Sequence, residues 1–122
     1  MLQIPNTRSL FYFPEFTVEG YFRFRDTIGT DFLFYKWTTF RLSRQQDSYL
    51  LSLVWNWCPD ESSQFTSGPW IPELDRFYHI ALTNDGNQAK IWVDRQMVAF
   101  TDYPTDIIRP SCDDLFVGAN LG

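Results

Sequence analysis

Between residues 75 and 99 the chain alternates apolar and polar positions with a period of two, the mark of half-buried strands. Tyr78, Ile80 and Leu82 fall on one side, and Phe77, His79, Ala81 and Thr83 on the other. Asn84-Asp85-Gly86-Asn87 is a turn signal, since Gly accepts positive φ and Asp or Asn side chains bond their own backbone. Ala89, Ile91 and Val93 then share one face, and Lys90, Trp92 and Asp94 the other. After a break at Asp94-Arg95-Gln96, the residues Met97 to Phe100 return as a third strand. The spacing predicts an antiparallel meander.

Similar alternation recurs along the chain. Leu2 to Ile4 reads as a short edge strand stopped by Pro5, which cannot donate to a ladder. Phe16 to Arg25 reads as a core strand with Phe16, Val18, Gly20, Phe22 and Phe24 inward. A turn around Gly29 follows, then a hairpin of Phe32 to Trp37 and Phe40 to Leu42 with Thr38-Thr39 near its tip. Arg44 to Asp47 is polar and is expected as a loop. Tyr49 to Trp57 is expected as a strand with Tyr49, Leu51, Leu53, Trp55 and Trp57 together, covered on both faces. Cys58 to Glu73 carries Pro59, Gly68-Pro69 and Pro72 and is expected to be irregular. Asp102 to Asp114 is a second loop, and Leu115 to Ala119 the last strand. The sum is an all-β, two-sheet antiparallel sandwich, one domain over residues 1–122. Its expected core includes Phe16, Val18, Phe22, Phe24, Leu51, Leu53, Ile80, Leu82, Ile91 and Val93.

Composition supports this picture. Aromatic residues make up 19% of the chain, and with the turn formers they favour an all-β fold. The net charge of −5 argues against a nucleic-acid partner, which requires clustered Lys and Arg. No run approaches the roughly 18 apolar residues of a membrane span, and Met1 to Pro5 shows no signal peptide. Cys58 and Cys112 could pair, but nothing else indicates an oxidising compartment, so free thiols are expected.

The meander also carries a resemblance. Phe77 to Thr83, then Asn84-Asp85-Gly86, then Lys90-Ile91-Trp92-Val93-Asp94 resembles the signature of laminin G-like domains in the concanavalin A-like lectin group. Phe16 to Phe24 is similar to that family's first long strand, and Leu115 to Asn120 to its closing region. The resemblance implies a jelly-roll sandwich and a role in recognising a glycan or a protein surface. Phe77 stands where a Trp is usual and Arg95 where a Gly usually follows Asp94, which implies a different turn register. The family often holds calcium through rim carboxylates and carbonyls, so the implied Ca²⁺ ligands are Asp113, Asp114 and Asn120, with Asp102 or Asp106 nearby in the chain.

Catalysis is not expected. Glu73-Leu74-Asp75 resembles the opening of the E-x-D-x-E signature of retaining glucanases, whose paired carboxylates stand about 5–5.5 Å apart. The position for the second Glu is Phe77 or Tyr78, so two roles cannot be divided. His79 is the sole histidine, which leaves no Ser-His-Asp or zinc arrangement. Sugar recognition needs aromatic faces beside planar hydrogen-bonding groups, and Trp55, Trp57 and Trp70 with Asn56 and Arg41 are the candidates. The same rings would serve equally to fill a sandwich core.

Two functions stay open: a non-catalytic binding module within a larger assembly, or a structural virion component such as a capsid decoration, fibre or tail protein. A virion or an extracellular surface is the location they imply. In the resembled family a further strand follows the segment matching Leu115 to Asn120, whereas here only Leu121 and Gly122 remain. The expectation is a sandwich lacking its final strand, with another chain, a second copy or a different protein, covering the open C-terminal edge. The alternative occupant is Met1 to Ile4 of the same chain.

Overall fold

Alternation becomes strands in the computed structural model, which describes residues 2–4, 15–36, 40–46, 49–55, 62–85, 87–102 and 115–121. In chain order these are β1 (Leu2–Ile4), β2 (Phe16–Arg23), β3 (Thr30–Lys36), β4 (Phe40–Gln45), β5 (Tyr49–Trp55), β6 (Ser62–Thr66), β7 (Phe77–Asn84), β8 (Ala89–Val93), β9 (Gln96–Thr101) and β10 (Leu115–Leu121). They form a six-stranded sheet in the order β1-β10-β3-β4-β5-β6 and a four-stranded sheet in the order β2-β7-β8-β9. Every pairing is antiparallel. The architecture is the all-β jelly-roll sandwich that the alternation predicts.

Apolar residues one strand position in two meet between the sheets. Ile80, Leu82 and Ile91 come from one side and Leu42 and Leu50 from the other, all at 0% exposure. Each such side chain contributes about 1.5–3 kcal/mol by leaving water. Aromatic rings join the layers: Phe16 stacks on Phe40 at 4.9 Å, and Phe22 meets Phe34 edge-to-face at 5.3 Å. Phe16, Val18 and Phe22 are half-buried against this core because β2 is an edge strand.

Several expectations are corrected. Arg44 is not in a loop: β4 runs to Gln45, and Arg44 is buried in the same phase as Phe40 and Leu42, because Asp31 stands directly across from it. The stretch from Cys58 to Glu73 contains β6, whose bounds lie clear of Pro59, Gly68-Pro69 and Pro72, so the breakers flank the strand without interrupting it. In β5 Leu50 is buried at 0% exposure, across the ladder from Arg44. The strand expected at Leu115 to Ala119 runs on to Leu121 as β10 and pairs with β3 on one side. On its other side Leu2, Gln3 and Ile4 pair with Val117, Phe116 and Leu115, so the chain's own β1 occupies the edge where another chain was expected. The Thr38-Thr39 tip, Cys58 and Cys112 lie outside the described residues.

The turns also differ from expectation. Val93 pairs with Gln96 across a two-residue loop in which Asp94 has φ 49° and Arg95 φ 68°. Two positive φ values are the geometry of the primed hairpin turns. Arg95 therefore adopts the conformation a Gly would take, and the β8-β9 ladder shifts register between Ile91 and Trp92. Asp94 anchors the turn: its N–H donates to His79 O at 2.8 Å, and its Oδ1 accepts the His79 N–H at 3.0 Å. Its Oδ2 accepts Arg76 at 2.8 Å. In the preceding turn Asp85 Oδ1 accepts the N–H groups of Gln88 at 2.7 Å and Asn87 at 2.9 Å. These two donors hold its carboxyl below the ordinary Asp range.

A left-handed conformation at a residue with a β-carbon costs about 1–2 kcal/mol. Arg95→Gly should accordingly stabilise the protein by about 1 kcal/mol and raise the midpoint of thermal unfolding by about 4 °C. An unchanged or lower midpoint in calorimetry would show that the Arg95 side chain offsets the strain elsewhere.

Candidate functional site

Of the five residues proposed for sugar contact, Trp70 and Arg41 have described side chains, and they sit on different faces of the fold. Trp70 is half-buried against the core, edge-on to Tyr78 at 5.2 Å and to Phe24 at 5.7 Å. Arg41 lies on the outer side of the six-stranded sheet, its guanidinium 5.7 Å from the Phe32 ring. Trp55 ends β5, and Asn56 and Trp57 lie outside the described residues. Asp113 and Asp114 also lie outside them, while Asn120 belongs to β10. Among the described residues no three His, Cys, Asp or Glu side chains gather as a metal group. Glu73-Leu74-Asp75 lies in an exposed turn before β7, where Glu73 faces Arg76 at 3.9 Å.

Trp70 and Arg41 are each one ring away from a concavity that sequence reading did not identify. A cleft of about 280 Å³ opens where β2 ends and β3 begins. Phe22, Phe24, Phe32 and Leu33 give it apolar walls, Arg23, Arg25, Asp26 and Asp31 add charge, and Gly118 of β10 completes it. The local sequence dictates this shape. After Arg23 the chain leaves the sheet, Asp26 Oδ1 accepts the Ile28 N–H at 3.0 Å, and Gly29 reverses the backbone at φ 71°. Phe24 plugs inward at 5% exposure, and its carbonyl accepts the Asp75 N–H at 2.8 Å. Gly118, at φ 77°, lies just past the residues that β1 covers, and a β-carbon there would meet nothing within 4 Å.

Beneath the cleft lies the most demanding electrostatic feature of the fold. Arg44 has 0% exposure, and its Nε donates to Asp31 Oδ2 at 2.6 Å. Its Nη2 donates to the Gly29 carbonyl at 3.0 Å and its Nη1 to the Gln45 carbonyl at 3.2 Å. The guanidinium carbon stands 5.8 Å from the Phe24 ring. Asp31 itself remains 17% exposed and lines the cleft. A buried guanidinium is tolerated only where its donors are satisfied and its charge is matched, and both conditions are met. One sequence signal could have flagged it: Arg44 continues the inward phase of Phe40 and Leu42.

The outer face of the four-stranded sheet is a second feature. The register sets Arg23 beside Phe77, Tyr21 beside His79, and Glu19, Ala81, Trp92 and Met97 in one row. Tyr21, Phe77, Phe100 and Met97 are 68%, 60%, 51% and 46% exposed. Trp92 Nε1 donates to Thr83 Oγ1 at 2.9 Å on the neighbouring strand, which lays the indole along the sheet. His79 meets the edge of Tyr21 at 5.2 Å and reaches Glu19 at 3.6 Å.

The fold and its cleft define a two-sheet antiparallel sandwich with a small concavity at one end. No protein-family model matches the chain, and no curated protein matches it. Solved structures share the fold. A candidate carbohydrate binding protein from Bacteroides ovatus superposes with a TM-score of 0.75 at 16% identity, covering 93% of this chain and 34% of that one. The CBM40 of the Ruminococcus gnavus IT-sialidase, bound to α2,3 sialyllactose, gives 0.60 at 13% identity, covering 85% and 63%. The carbohydrate binding module CBM66 from Bacillus subtilis gives 0.58 at 15% identity, covering 89% and 74%. This chain thus spans about a third of the first of these proteins, and at such identities the likeness is one of fold.

Removing Asp31 leaves Arg44 buried without its anion, a loss of 3–5 kcal/mol for fully buried pairs. Since Asp31 keeps 17% exposure, Asp31→Ala should cost about 3 kcal/mol in urea unfolding. A cost below about 1 kcal/mol would place the pair among weak surface bridges.

Proposed function

We propose that this chain is a non-catalytic glycan-binding module and that the cleft between β2 and β3 is its sugar site. The observation that carries the proposal is the cleft's lining: the aromatic residues Phe22, Phe24 and Phe32 stand beside the charged, hydrogen-bonding residues Arg25, Asp26 and Asp31. Sugars present both C–H faces and hydroxyls, and such a mixed concave surface satisfies both. The volume of about 280 Å³ is at the lower bound of ligand pockets, which favours one terminal sugar over an extended chain. The resemblance to laminin G-like domains points the same way, as does the fold shared with modules named for carbohydrate binding. Trp70 and Arg41 support the walls from behind, through Phe24 and Phe32. The test is a glycan array that includes neutral and sialylated sugars, followed by titration of the best ligand. Arg25→Ala should weaken binding about tenfold, the effect of losing one charged hydrogen bond, without moving the melting temperature. An array on which nothing binds would overturn the proposal.

The outer face of the four-stranded sheet supports a second reading, docking to another protein in a larger assembly, of which the virion component is one form. Aromatic residues, Met and Arg dominate this face, the composition that distinguishes protein interfaces, and Tyr21, Phe77, Met97 and Phe100 are exposed together. If this face docks, Met97→Glu with Phe100→Glu should dissociate an assembly seen by light scattering at micromolar concentration. A monomer before and after the substitutions would remove self-association from this reading.

A further inference from the structure

We propose that Asp31 is the hydroxyl acceptor of the cleft, that buried Arg44 positions it, and that the pair selects a sugar with two adjacent hydroxyls; this rests on reading the cleft as the sugar site. Stability alone does not account for the pair. Burying a guanidinium costs several kcal/mol, and well-packed apolar residues generally serve a sandwich core as well or better. Arg44 nevertheless occupies the inward phase of β4 at 0% exposure.

Its geometry does something an apolar residue cannot. All three guanidinium nitrogens are engaged, to Asp31 Oδ2, the Gly29 carbonyl and the Gln45 carbonyl. Asp31 is therefore gripped from the core side, and the turn through Gly29 that walls the cleft is tied to the same cation. Asp31 lines the cleft, and its side chain retains 17% exposure. An ionised carboxylate accepts about four hydrogen bonds and donates none. What binds it at the cleft must donate, and neighbouring hydroxyls on a sugar ring are donors of that kind. A ligand anion facing Asp31 would be repelled. Because the grip is preformed, little ordering is needed when the ligand arrives. Phe22 and Phe32 line the same space, and a β-carbon at Gly118 would meet nothing within 4 Å.

The experiment uses the full chain and a monosaccharide identified by the glycan array, paired with its deoxy analogue lacking one of the two hydroxyls. Wild type should prefer the parent sugar by about tenfold or more. In Asp31→Asn the parent sugar should bind at least tenfold more weakly, and its preference over the deoxy sugar should fall to within about twofold. Arg44→Met should shrink the same preference, and Arg44→Lys should restore part of it; a purely structural Arg44 would lower the melting temperature and leave the preference intact. If Asp31→Asn fails to fold, the double variant Asp31→Asn with Arg44→Met removes both charges together and carries the same expectation. Parent-sugar affinity within twofold of wild type in Asp31→Asn or in the double variant, or an unchanged preference, overturns this inference while leaving the glycan module standing. An array on which nothing binds overturns both.

Discussion

One cation holds together the end of the sandwich where the cleft opens. Arg44 ties β4 to the first turn of β3 through Asp31 and ties the reversing loop to both through the Gly29 carbonyl. Its charge also rests beside the Phe24 ring, which in turn meets Trp70 and Tyr78. In water such an ion pair is nearly neutral in energy; inside, the interaction is stronger and the penalty for disturbing either partner larger. The walls of the cleft follow from a charge balance as much as from apolar packing.

Legibility in the sequence followed the strength of the periodic signal. Tyr78, Ile80, Leu82, Ile91 and Val93 alternate without interruption, and the meander they predict is observed with those residues buried. The signal failed where a polar residue held an inward position. Arg44 reads as a loop residue by polarity and as a core residue by phase, and phase prevailed because Asp31 lies across the ladder from it. In β5 both alternating sets carry apolar residues, and Leu50, outside the expected core set, is buried. β6 was hidden by the proline residues that bound it. Arg95 shows a related limit: polarity alone does not reveal that it takes a left-handed conformation beside the anchored Asp94.

The candidate site was less legible than the fold, for a physical reason. Phe22, Phe24, Asp31, Arg25 and Gly118 come from three separate segments, and no spacing rule connects residue 25 to residue 118. The tryptophans drew attention as rings suited to sugar, but Trp70, where it is described, spends much of its surface on Phe24 and Tyr78. The cleft instead is lined by phenylalanines, of which Phe22 and Phe32 are half-buried and Phe24 is buried.

The pairing of β1 with β10 has a consequence for how the chain is made. Leu2 meets Val117, so the six-stranded sheet joins almost the first residue described to almost the last. Until β10 emerges, β1 has no ladder to join and β3 has an open side. The β7-β8-β9 meander, whose strands are neighbours in sequence, can form long before. Closure of so distant a pair bears the entropy of a long loop, the kind of contact that slows folding of β-sandwiches. A folding chain therefore passes through a half-built sandwich whose larger sheet waits for β10, and in that interval its unpaired strands are open to mispairing.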